Sequence, residues 1–208
     1  MGIRQMPDPA IHETRQRLLA GGVTYLSTHG YHGSGLKGIL SAVGIPKGSF
    51  YYYFNSKDAY TAAVIDYYIS PYLDRLQVLG SASGESGKSR LLTYFSELMA
   101  ASAASEYAGG CLLGNLMGEL DASRNPSSRK ALSKAMASYA DALAFLIAIG
   151  QADGSIRSDI EAGALADLLV NQWQGALLRA KLERSAGPLN GCIAGLIEGY
   201  FKPHSKSI

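Results

Sequence analysis

Two stretches of this 208-residue chain carry side chains with chemistry to offer. In Gly109-Gly-Cys-Leu-Leu-Gly-Asn-Leu116, Cys111 stands where a helix is expected to begin. The positive end of a helix favours a thiolate, the nucleophilic form of cysteine, and Gly109 and Gly110 leave the sulfur approachable. The competing reading is a small buried hydrophobe. The second stretch runs from Lys47 to Lys57, Lys-Gly-Ser-Phe-Tyr-Tyr-Tyr-Phe-Asn-Ser-Lys. Lys47, Ser49, Tyr51 and Tyr52 offer a cation and hydroxyls over about one and a half helical turns, and Tyr53 and Lys57 extend the polar side. Such groups contact phosphate, and phosphate contacts position a protein on a duplex while base-edge contacts specify sequence.

The elements holding the second stretch are legible nearby. Gly44 follows the apolar Ile39, Leu40 and Val43 and suits the left-handed conformation that ends a helix. Pro46 fits the first position of the next helix, where its missing N–H costs nothing. Gly48 leaves that helix start bare, so backbone amides can approach a phosphate. Phe50 and Phe54, four apart, share a face that anchors inward. Residues 36 to 57 therefore read as two short helices around a tight turn, a helix-turn-helix, too short to be stable alone.

Gly44-Ile-Pro-Lys-Gly-Ser-Phe-Tyr-Tyr-Tyr-Phe-Asn-Ser-Lys57 resembles the signature of the tetracycline-repressor (TetR) family of bacterial transcriptional regulators. The usual form is Gly-Val-x-x-Gly-x-hydrophobic-Tyr-x-Tyr/His-Phe-x-x-Lys. The chain departs at Leu40, where the family usually has alanine, and at the glycines Gly35 and Gly38. The resemblance implies DNA contacts at Lys37, Lys47, Gly48, Ser49, Tyr51, Tyr52, Tyr53 and Lys57, with Lys47 the best candidate for a guanine. Packing against neighbouring helices is the alternative for Tyr51 and Tyr53, and a solvated charge for Lys57. The expected architecture is all-α, with a three-helix helix-turn-helix DNA-binding domain over residues 1–56 and a helical ligand-sensing and dimerisation domain over 57–208.

Beyond the motif the chain reads as helices, at about 11–29, 56–79, 88–104, 110–120, 127–150, 159–184 and 188–202, with a Gly/Ser loop at 80–87. Pro71 is expected to bend the second of these. Ser158 and Glu161 read as a capping box. No alternation marks a strand, and no repeat is present.

The last two helices carry apolar stripes. Leu165, Leu168, Leu169, Ala176, Leu177 and Ala180 form one, and Leu189, Cys192, Ile193, Leu196, Ile197, Tyr200 and Phe201 the other. One stripe is ordinarily core; because the family pairs these helices into a four-helix bundle, they are read as a homodimer interface. A two-fold dimer implies double-stranded DNA with a pseudo-palindromic operator, half-sites ~34–36 Å or a multiple apart.

Tyr94, Phe95, Met99, Leu113, Met117, Tyr139, Leu143 and Trp173 are the residues a ligand cavity, or equally a plain core, would use. The segment around Cys111 and Trp173-Gln-Gly-Ala-Leu-Leu-Arg-Ala-Lys-Leu182 together resemble a branch of the family whose repressors respond to electrophiles such as reactive aldehydes, quinones or acrylate-like compounds. On that resemblance Cys111 is the sensor and Lys181 a cationic partner, or else a solvated charge. Cys192, within an apolar stripe, is read as structural.

The balance of charge fits the division. Residues 1–60 hold six Lys/Arg against three Asp/Glu, and the remainder thirteen against fourteen. His12, His29, His32 and His204 show no ligand spacing with the two cysteines, so neither a metal nor a cofactor is expected. No run approaches the roughly 20 apolar residues of a membrane span. Met1 to Pro9 lack the apolar core of a secretion signal, which points to the cytoplasm, where a disulfide is not expected. The expected function is a transcriptional repressor released from its operator by a small-molecule or electrophilic effector, and not an enzyme. An activator of the same fold, a cysteine-dependent helical enzyme and a protein-interaction module are the alternatives; no Cys–His dyad is apparent for the enzyme.

Overall fold

The computed structural model describes residues 9–203, so His204 and the segment before Pro9 lie outside the described residues. The elements are α1 (Pro9–His29), α2 (Leu36–Val43), α3 (Lys47–Tyr53), α4 (Lys57–Ser81), α5 (Gly87–Ala104), α6 (Leu112–Met117), α7 (Pro126–Ala152), α8 (Ala162–Glu183) and α9 (Gly187–Cys192). α9 runs on into a wider π-type winding over Ile193–Tyr200, closed by the Phe201 N–H on the Leu196 carbonyl at 2.8 Å. No strand occurs among the described residues.

Local chemistry sets the first boundaries. Gly30 and Gly44, both at φ +67°, close α1 and α2. The Gly30 N–H reaches the Leu26 carbonyl at 2.9 Å, and after Gly44 the Ile45 N–H reaches that of Leu40 at 3.0 Å. Pro46 stands one residue before α3, as its N-cap, and not inside it. Ser56 caps α4 by accepting from the Ala59 N–H at 3.0 Å. α4 runs on through Pro71 to Ser81.

Two boundaries depart from the sequence reading. The segment 110–120 contributes only the short α6. The Ser158–Glu161 capping box does not form: α8 starts at Ala162, and Glu161, its N-cap, makes no side-chain cap bond. The residues before it are held as a loop, because the Gln151 amide donates to the carbonyls of Arg157 at 2.9 Å and Ile160 at 2.8 Å, and Arg157 pairs with Asp159.

α4 is the spine. At its start Phe50, Phe54 and Tyr60 pack with ring centroids 5.0–5.6 Å apart, and the Tyr60 hydroxyl donates to the Leu18 carbonyl of α1 at 2.7 Å. Further along, Val64, Ile65, Ile69 and Leu76 are buried against the body. α7 is, among the described residues, long and apolar enough to cross a membrane by composition alone, with a hydropathy of 1.4. It packs against α4, α5 and α8, burying Leu132, Tyr139, Leu143, Leu146 and Ile147.

Candidate DNA-reading face and effector cavity

The helix-turn-helix face is built as the motif requires in most positions. Phe50 and Phe54 are buried and hold α3 down. Lys37, Lys47 and Gly48 are exposed, and a Cβ placed on Gly48 would meet nothing within 4 Å. Tyr51 is 53% and Tyr52 69% exposed, each making an edge contact with a chain neighbour, Phe50 and Tyr53 respectively, and leaving most of its ring to solvent. Ser49 is half-buried, and Tyr53 is half-buried against the core.

Lys57 is the exception and corrects the sequence reading. Its Nζ donates to the Tyr31 carbonyl at 2.5 Å and lies 3.9 Å from the centre of the Tyr31 ring. Burial lowers its pKa while Glu119 opposes that shift. Its ammonium is spent inside the protein, on the turn between α1 and α2, and not on the DNA face.

A cavity of about 200 Å³ lies between α4, α5, α6, α7 and α8, and Cys111, Tyr139 and Trp173 line it as expected. Leu113 lines it too, whereas Tyr94, Phe95, Met99, Met117, Leu143 and Lys181 do not. Tyr94 stands behind the wall, donating to the Tyr139 hydroxyl at 3.2 Å; Met99 packs at the margin of the core; Met117 is 45% exposed on the outer face of the short α6. Lys181 turns outward into an open cleft with Asn115 and Glu119, its stem passing Gly110. Tyr68, Tyr72 and Gln174, which the sequence reading missed, take their places in the wall. Tyr68 and Tyr72 are four apart on α4, and that spacing was the available signal.

Cys111 is the N-cap of α6. Its Sγ lies 3.8 Å from the Tyr68 hydroxyl and 3.5 Å from the Gln174 amide nitrogen, and Tyr72 donates to Tyr68 at 3.3 Å. The lining contains no Asp, Glu, Lys, Arg or His. Burial pushes the phenols of Tyr68, Tyr94 and Tyr139 well up, so they remain neutral donors. His29 stacks on Tyr25 and His32 bonds to Glu119, both away from the cavity. Cys192 is buried, which raises its thiol to about 11.

The segment after Cys111 grips the helix-turn-helix directly. Asn115 donates to the Ser27 carbonyl of α1 at 3.4 Å, the Glu119 carboxylate accepts the His32 N–H at 2.9 Å, and His32 Nε2 meets the Glu119 carbonyl oxygen at 3.0 Å. Asn125 donates to the Tyr31 hydroxyl at 2.6 Å. Gly30 permits this closeness, since a Cβ there would lie 2.2 Å from Glu119 Oε1.

The interface stripes are also corrected. Leu165, Leu169, Ala176 and Ile197 are buried within the chain itself, and Leu177, Ile193 and Leu196 are partly covered by its core. They pack their helices onto the body. Two members of the stripes, Leu168 and Tyr200, stay open at 39% and 45% exposure, and α8 also exposes Leu178 and Leu182 at 51% and 83%.

A helix-turn-helix joined by one long helix to a body that encloses a small cavity defines a DNA-binding transcriptional regulator of the ligand-responsive kind. Residues 18–64 match the family described as bacterial regulatory proteins, tetR family, and residues 87–196 the tetracyclin repressor-like C-terminal domain. The chain belongs to the TetR family. It is 32% identical to the HTH-type transcriptional repressor DhaR of Mycobacterium sp. (strain GP1), covering 93% of this chain and 95% of that protein. Among solved structures, a regulatory protein TetR from Rhodobacter sphaeroides superposes with a TM-score of 0.81 at 31% identity, covering 89% of this chain and 98% of that one. The reduced form of Escherichia coli NemR gives 0.77 at 29%, covering 89% and 95%.

Proposed function

We propose that this protein is a homodimeric repressor that leaves its operator when a small electrophile adds to Cys111. The observation that carries the reading is the position of the Cys111 sulfur, in the wall of an uncharged cavity and at the head of the segment whose Asn115 and Glu119 grip the turn between α1 and α2. A group added to the sulfur competes for the cavity with the aromatic wall. The resulting strain on α6 reaches the helix-turn-helix through a few hydrogen bonds, and the equilibrium moves only as far as the effector discriminates between the two states. A ~100-fold preference is worth about 2.7 kcal/mol. That relatives include a named repressor and a structure described as a reduced form supports both halves of the reading.

DNA contact belongs to Lys37, Lys47, Gly48, Ser49, Tyr51 and Tyr52, with Tyr53 at the margin. The DNA-reading unit spans residues 1–56 and the sensing and dimerising unit 57–208; the separate family matches to 18–64 and 87–196 support a division into two units. As members of this family bind DNA in bacteria, the place of action is the cytoplasm. Operator titrations with salt test the DNA face. Lys47→Ala should weaken binding and reduce the slope of log K against log salt by about 0.9, one phosphate contact, and Tyr51→Ala should weaken binding with the dimer intact. Unchanged affinity in both variants contradicts the assignment.

A further inference from the structure

The Cys111 sulfur is where three helices meet: Tyr68 approaches from α4, Gln174 from α8, and Cys111 itself opens α6. Tyr72 donates to the Tyr68 oxygen, which leaves the Tyr68 proton for the sulfur. A thiol is a weak acceptor, whereas hydrogen bonds to a charged acceptor are roughly twice as strong as neutral ones. Two donors on one sulfur therefore strengthen as negative charge gathers there during attack. Gln174 is 8% exposed, lines the cavity, and its carboxamide oxygen has no partner. That oxygen sits against Gly114, where a Cβ would come within 2.6 Å of it, so glycine one turn into α6 is what lets Gln174 reach the sulfur. An amide with one end unsatisfied is costly to bury, and this one is placed with its N–H toward Cys111.

We propose that Tyr68 and Gln174 are positioning residues that ready Cys111 for attack, and that the weakening and crowding of the sulfur as their acceptor is what α4 and α8 sense. This rests on the sensing role given to Cys111 above. With a conjugated carbonyl compound, the thiol proton leaves to water and the sulfur lone pair forms an S–C bond at the β-carbon. The C=C pair moves onto the carbonyl oxygen, and a proton from water settles on the α-carbon, so S–H has added across the double bond. The thioether carries no charge and a larger substituent, so both donors are left with only a weak acceptor crowded by the added group. Tyr68 lies on the helix that starts beside the helix-turn-helix, so the tie between α4 and α6 is weakened at the site of modification.

The titratable groups facing this sulfur are Tyr68 and Tyr72 of α4, Tyr107 of the link between α5 and α6, Tyr139 of α7 with Tyr94 of α5 behind it, and, across Gly110, the stem of Lys181 of α8. No carboxylate lines the cavity. The test uses acrylamide on the full-length protein, the rate of Cys111 modification being read by mass spectrometry of its peptide between pH 5 and 10. Thermal unfolding of each variant checks the fold. Tyr68→Phe removes one hydroxyl, and Gln174→Met removes the donor at similar length. Each should slow modification at pH 7 about tenfold and move the half-maximal pH up by about one unit, with the limiting rate at high pH unchanged. Unshifted profiles in both variants overturn the proposal and leave Cys111 sensing intact. A downward shift in Gln174→Met also overturns it, because the carboxamide oxygen would then be accepting from the thiol. Wild-type protein that is modified yet stays on DNA overturns the sensing role instead.

Discussion

Lys57 and Asp58 are neighbours in sequence, yet both are used inside the molecule, where they join the helix-turn-helix to the body. Lys57 holds the turn at Tyr31, and the Asp58 carboxylate caps the first turn of α7, accepting from the N–H groups of Ser127 at 2.9 Å and Ser128 at 3.0 Å and from the Ser128 hydroxyl. Burial works against the Asp58 carboxylate, but the bonds from Ser128 and Ser127 outweigh it and hold the pKa below the ordinary 3.8. A depressed folded pKa means that the contribution is complete above the unfolded value and is lost as pH falls through the folded one. Asp58→Asn should therefore lower stability at pH 7 by about 1 kcal/mol, in the range of a lost helix cap. The gap from wild type should close below pH 3.8, as denaturant unfolding across pH would show. A gap constant with pH would mean that the carboxylate charge is irrelevant there.

At the scale of elements, α5 and α7 meet backbone to backbone. A Cβ on Gly87 would lie 2.1 Å from the Gly150 nitrogen and 2.7 Å from the Leu146 carbonyl oxygen, backbone atoms that cannot rotate away. Gly87→Ala should cost about 2–3 kcal/mol by chemical denaturation, as overpacking does, and a loss under 0.5 kcal/mol, the level of an ordinary surface change, would show that the crossing relaxes. None of this was legible in the sequence, where Gly87 reads as the end of a loop. The α2–α3 turn was legible because Gly44, Phe50 and Phe54 act locally, through backbone conformation and i,i+4 spacing. Cys111 at a helix start was legible for the same reason. Gln174 and Tyr68 were not, because spacing gives the face of a helix but not what stands opposite it. Lys181 was misplaced by the same limit: one face of α8 enters the cavity with Trp173 and Gln174, and Lys181 falls just past its edge. Of the α8 stripe read as an interface, Leu165, Leu169, Ala176 and Ala180 are taken by the body, and Leu168 is left open.

For the whole molecule, the exposed Leu168, Leu178 and Leu182 recur on one side of α8 at helical spacing and continue toward Tyr200, an apolar strip that a monomer would leave in water. A two-fold partner covering it would set the distance between two copies of α3, the quantity an operator reads. Leu178→Arg combined with Leu182→Glu should give a monomer in sedimentation with unchanged helix content and little operator affinity. A variant still dimeric would place the interface elsewhere.

The central claim is that chemistry at one sulfur controls DNA release. Fluorescence anisotropy on DNA from upstream of the protein's own gene, with and without acrylamide, should be compared between wild type and Cys111→Ser. The account predicts that both proteins bind and that only wild type lets go when the electrophile is added. Equal release from both, or from neither while the Cys111 peptide is fully alkylated, would contradict it.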